Sequence, residues 1–98
     1  MDKEQALKLV RRYKEVVKEE FSNAKIYLFG SYSKGCAHAG SDIDVAIVIP
    51  KLEGEWLERY ARLWQLTLNV DTLIEPVLIE ECHPSPLYED VLRTGIAV

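Results

Sequence analysis

Long apolar runs are missing from this chain. The longest, Val45 to Ile49, is far too short to cross a bilayer, so no membrane-spanning segment is expected. The opening Met1-Asp2-Lys3-Glu4-Gln5 has none of the apolar stretch of a secretory signal, which sets the expectation of a cytoplasmic protein. Cysteine is scarce: Cys36 and Cys82 are two lone thiols, and in a reducing compartment no disulfide is expected between them. Repeats, low-complexity tracts and linkers are lacking too. The 98 residues therefore make one domain, 1–98, with room for a single hydrophobic core.

The charge that is present is unevenly spread. Residues 1–40 hold eight Lys and Arg against five acids, whereas residues 41–98 hold four against eleven, within a net charge of −4. An acidic second half repels a nucleic-acid backbone and disfavours general DNA or RNA binding. It suits a site that gathers metal cations.

Apolar periodicity predicts the elements. Ala6, Val10, Tyr13, Val17 and Phe21 fall at three- and four-residue steps and predict an amphipathic helix over 3–21, with Lys3, Lys8, Arg11, Arg12, Lys14 and Lys18 on its solvated face. Residues 25–29 read as a strand, followed by Gly30-Ser31 and a short helix ending before Gly40. Residues 42–49 read as a second strand stopped by Pro50, and 55–68 as a helix. A third strand is expected over 71–79, at an edge or with a bulge because of Pro76. Pro84 and Pro86 mark a loop, 87–93 a last helix, and Ile96 to Val98 a little more strand. Alternating helices and strands with few tight hairpins predict an α/β (α+β) fold, a small mixed β-sheet with flanking helices.

The stretch that carries chemistry runs from Gly30 to Asp44. Gly30 lets the backbone approach a ligand, Ser31 stands where a helix starts and its free N–H groups favour anions, and Lys34 adds a cation one turn on. Asp42 and Asp44, two apart on a strand, project from one face and repel each other unless a cation sits between them. Magnesium is held through one or two carboxylates plus substrate phosphates, which matches a phosphate cradle followed by an acidic pair. Each half alone is ordinary: Gly-Ser is common turn chemistry, and Asp-x-Asp is common at strand edges. A P-loop is excluded, because Cys36 follows Gly35 where Lys-Ser or Lys-Thr would be required. Cys36, His38, Cys82 and His83 form two pairs whose spacings match no common zinc pattern. Tyr32 is read as an exposed side chain, and Glu80, Glu81, Glu89 and Asp90 as solvated.

Together the halves spell Gly-Ser, ten residues, then Asp-x-Asp, within Ser41-Asp-Ile-Asp-Val45. Here the chain resembles the nucleotidyltransferase superfamily that includes DNA polymerase beta, poly(A) polymerases and aminoglycoside nucleotidyltransferases. It most resembles the minimal nucleotidyltransferases (MNT), which contain little besides the catalytic domain. The resemblance implies the nucleotidyltransferase fold, with Gly30 and Ser31 holding the triphosphate of ATP or another nucleoside triphosphate. It implies Asp42 and Asp44 as ligands of two Mg2+ ions, Mn2+ being an alternative, and a third carboxylate on a neighbouring strand. Glu75 and Asp71, four apart, share a strand face; Glu75 is preferred because an apolar strand, the acid and a short acidic loop follow the family's order. Asp is more usual there, and the Pro after Glu75 is a departure.

The helix at 55–68 spreads its apolar residues over an arc of roughly 220°, wider than one sheet face requires. Trp56, Tyr60 and Trp64 lie on it, so a partner is expected to cover the excess, unless the helix is buried in the core. Proteins resembling this one are often paired with an all-helical HEPN-type toxin, as antitoxin, and some attach AMP to it. Transfer of AMP to a partner hydroxyl is accordingly the expected activity. The alternatives are an antitoxin that acts by contact alone, or nucleotidyl transfer to a small molecule such as an antibiotic. A homodimer is also left open.

Overall fold

A computed structural model describes residues 1–38 and 40–98. Helix α1 (Lys3–Lys18) starts at a reciprocal cap: the Asp2 carboxylate accepts from the Gln5 N–H at 2.8 Å, and the Gln5 side chain accepts from the Asp2 N–H at 2.9 Å. The helix is shorter than its apolar pattern predicts. The chain turns at Glu19 and Glu20, yet Phe21 stays buried, its N–H donating to the Val17 carbonyl at 2.8 Å. Strand β1 (Lys25–Phe29), helix α2 (Ser31–Lys34), strand β2 (Ile43–Ile49) and helix α3 (Trp56–Thr67) follow. Strand β3 (Ile74–Glu80), helix α4 (Pro86–Thr94) and strand β4 (Ile96–Ala97) complete the order.

The four strands form one mixed sheet in the order β3-β2-β1-β4, with β2 and β3 parallel and the other pairs antiparallel. This is the small α/β architecture read from the sequence. Its third strand begins at Ile74 rather than at 71, and it lies at the sheet edge, where the absent N–H of Pro76 is tolerated.

Alternation along β2 divides the core. Ile43, Val45, Ile47 and Ile49 face α1 and α3, packing with Val10, Tyr13, Val17, Leu63 and Leu66. Ala46 and Val48 face the other way and pack with Phe29, Ile79 and Val91 under α4. The Tyr13 hydroxyl, buried between the helices, donates to the Leu63 carbonyl at 2.7 Å and ties α1 to α3. Burial raises the Tyr13 pKa, with Tyr60 adding to the shift, so the hydroxyl stays a donor.

Candidate active site

The same alternation aims the acids. Asp44 shares the α4 side of β2 with Ala46 and Val48, and Glu75 shares that side of β3 with Val77 and Ile79. The parallel register sets Asp44 directly beside Glu75. Asp42 precedes β2 by one residue and is exposed, and Glu75 lies in hydrogen-bonding contact with both aspartates. Asp71 goes elsewhere: its carboxylate accepts from the Leu73 N–H at 2.8 Å and closes the turn into β3.

On the other flank, β1 runs antiparallel to β2 with Phe29 opposite Asp44, so its C-terminal end delivers Gly30 to the acids. Gly30 adopts φ 73° and ψ −148°, a conformation that L side chains rarely take. A Cβ on Gly30 would overlap the Asp44 carboxylate at Oδ2. The glycine is therefore required twice, by backbone conformation and by contact. Its carbonyl accepts from the Lys34 N–H at 3.1 Å and the Ser33 hydroxyl at 2.9 Å, which holds Ser31 at the start of α2.

Crowding three acids has an electrostatic consequence. Loss of water raises the Glu75 pKa most, then the charges of Asp42 and Asp44, then the hydrogen bonds it makes to them. Burial likewise raises Asp44, the Asp42 charge adds to it, and the bond with Glu75 works in the opposite direction. The cluster consists of oxygen donors, and Asp44 and Glu75 hold protons more tightly than free carboxylates do. That donor set fits Mg2+ or Mn2+, hard cations that take oxygen ligands.

Four side chains, Tyr32, Glu80, Glu81 and Asp90, depart from their expected surroundings, Glu80 because it accepts from the Leu52 N–H at 3.0 Å. Lys34 makes an ion pair with Asp90 of α4, Nζ to Oδ2 at 3.6 Å, and Asp90 also accepts from Arg93 at 2.8 Å. Asp90 is thus engaged rather than simply solvated. The Arg93 bond, ahead of Lys34, holds its carboxyl below the usual range. Tyr32 is buried, not exposed, because α2 turns it toward Ile43 and the α1 face of the core. Its apolar neighbours on the next elements were the missed signal. Glu81 also has partners, Lys25 at 3.9 Å and the Tyr88 hydroxyl at 3.4 Å, while Glu89 is exposed as expected.

The nucleotidyltransferase domain family model matches residues 10–96. Over 50 residues the chain is 42% identical to the protein adenylyltransferase MntA of Shewanella oneidensis, a match covering 51% of this chain and 32% of that protein. The chain thus spans about a third of the length of this curated relative. A solved minimal nucleotidyltransferase superposes with a TM-score of 0.61 at 29% identity, covering 100% of this chain and 97% of that one. A chain from the complex of tri-AMPylated Shewanella oneidensis HEPN toxin with MNT antitoxin gives a TM-score of 0.57 at 21% identity. That match covers 94% of this chain and 70% of the other, a likeness of fold. With the family matched over residues 10–96, and with Gly30, Asp44 and Glu75 meeting at one end of its sheet, this chain belongs to the nucleotidyltransferase domain family.

Proposed function

We propose that this chain transfers AMP from ATP to a hydroxyl on an all-helical HEPN-type toxin, and so acts as the antitoxin of the pair. The observation that carries the reading is the register that puts Asp44 beside Glu75, under the Gly30 turn. In this reading Gly30, Ser31 and the N–H groups of α2 seat the triphosphate, and Lys34 leaves Asp90 to pair with it. Asp42, Asp44 and Glu75 would hold Mg2+. When bound, the metal neutralises the phosphates and acidifies the attacking hydroxyl. The hydroxyl oxygen attacks the α-phosphorus, the bond from that phosphorus to the bridging oxygen breaks, and pyrophosphate leaves. Glu75, set beside Asp44 by the strand register, takes the hydroxyl proton.

Two relatives support the choice of nucleotide and acceptor: one is a protein adenylyltransferase, and the other, alike in fold, comes from the complex of an AMPylated HEPN toxin with MNT antitoxin. A reducing cytoplasm suits both ATP chemistry and the free thiols of Cys36 and Cys82. No helix among the described residues is long and apolar enough to cross a membrane.

The test is to co-express the chain with the product of the adjoining open reading frame and weigh that product intact. A mass increase of one or more AMP units, absent with Asp44→Asn, is expected. An unmodified partner that the chain still silences, equally well with Asp44→Asn, would leave only inhibition by contact.

A further inference from the structure

At the far end of β3 from the acids, the chain brings together three side chains of different chemistry. A carboxylate oxygen of Glu80, the Cys82 sulfur and a ring nitrogen of His83 all lie within 4.8 Å of one another. Glu80 pairs with Ile49 and Glu75 with Asp44, so five residues of strand, about 16 Å, separate this cluster from the catalytic end. Sequence spacing alone matches Cys82-His83 to no common zinc pattern; the fold supplies Glu80 as their neighbour.

We propose that Glu80, Cys82 and His83 form a second metal site, selective for a borderline-soft divalent cation of the zinc class. Sulfur, nitrogen and oxygen donors suit zinc, whereas magnesium takes oxygen donors and keeps to the carboxylates at the other end. Three protein ligands leave a fourth position for water.

The ligands are also held. Glu80 Oε2 accepts from the Leu52 N–H at 3.0 Å and lies 3.6 Å from the Cys82 sulfur. The Cys82 N–H donates to the Pro50 carbonyl at 3.2 Å, and the His83 N–H to the Glu80 carbonyl at 3.1 Å. These bonds fix the turn that carries two ligands and tie it to the segment after β2, so little ordering remains to be done on binding. Metal binding replaces the thiol proton by a sulfur–metal bond, and the proton leaves to solvent. The bound ion would clamp the end of β3 to the Pro50–Leu52 segment.

Cobalt(II), which takes zinc's place and is coloured, provides the probe. The metal-free protein in excess Mg2+ is titrated with Co2+ and then with Zn2+. A near-ultraviolet thiolate-to-cobalt band should grow to one equivalent per chain and be bleached by one equivalent of Zn2+. Cys82→Ser and His83→Ala, both at exposed positions, should abolish it, while Cys36→Ser leaves it intact. Absence of the band at equimolar Co2+, or its loss in Cys36→Ser with retention in Cys82→Ser, overturns the proposal.

Discussion

Replacing Gly30 by Ala tests the join between fold and chemistry most sharply. The backbone there, φ 73° and ψ −148°, lies in territory that is essentially glycine's, and forcing another residue into it costs about 1–3 kcal/mol. For a domain of this size each kcal/mol lowers Tm by about 4–8 °C, so a fall of about 5–20 °C is expected. The new Cβ also overlaps the Asp44 carboxylate, which has to rotate away from Glu75. Magnesium-dependent nucleotide binding should therefore fall even at temperatures where the variant stays folded. Gly35 supplies the control. It also has positive φ, 74°, but a Cβ on it meets nothing within 4 Å, so Gly35→Ala should cost about 1–2 kcal/mol and spare binding. Denaturant unfolding and titration calorimetry on both variants give the two readouts. Stability of Gly30→Ala within about 0.5 kcal/mol of wild type, or equal loss of binding in both variants, would refute the reasoning.

The remaining predictions concern the acids, the core and the outer face of α3. Glu75→Gln should lower turnover by orders of magnitude and Asp71→Asn only mildly, since Asp71 is committed to the Leu73 N–H; steady-state assays giving the reverse order would move the role to Asp71. The folded state raises the pKa of Asp44 and Glu75, so it binds their protons more tightly than the unfolded chain does. Their contribution to stability is full below the ordinary carboxylate range, about pH 4, and is lost as pH rises through the raised values. Chelator-treated Asp44→Asn should thus melt above wild type at pH 7, with the gap closing toward pH 4, and a lower melting point at pH 7 would contradict this. Tyr13→Phe should cost about 0.5–1.5 kcal/mol in urea unfolding, through the lost bond to the Leu63 carbonyl. Leu63→Ala should cost about 2–5 kcal/mol, and Leu57→Ser within about 0.5 kcal/mol while weakening capture of the partner; a large stability loss for Leu57→Ser would place it in the core.

Legibility followed the range of each interaction. Gly30, Asp42 and Asp44 could be read because strand alternation and a glycine turn are local, and local geometry fixes which way they point. Glu75 and Asp71 could not be separated locally, since both fall on the same face of an extended strand. The parallel register with β2 separates them, and that pairing is decided by burial of Ile43, Val45 and Ile74 on the opposite side of the sheet. The Lys34–Asp90 pair was out of reach for the same reason: it depends on α4, far along the chain.

Helix α3 shows how far a pattern can be taken. Its apolar arc was wider than one sheet face needs, and the structure divides that arc into two parts. Leu63 and Leu66 enter the core, whereas Leu57 and Leu68 remain 78% and 73% exposed, and Trp56 and Trp64 38% and 45%. Periodicity says that apolar residues share a stripe but not where the core ends along it. The boundary is set by Tyr13 and Val17 of α1, whose contacts fill the space beneath Leu63 and leave the outer turn uncovered. The edge contact between Trp56 and Tyr60, with ring centroids 5.7 Å apart, then holds an aromatic side chain near the exposed margin. Rigid aromatics of this sort are the usual anchors of protein interfaces, and apolar side chains left this open seldom form a continuous patch on a monomer. A single arc is therefore split between core and surface. Its inner half stabilises the domain that positions Asp44 and Glu75, and its outer half stays exposed, where the helical partner proposed above would dock.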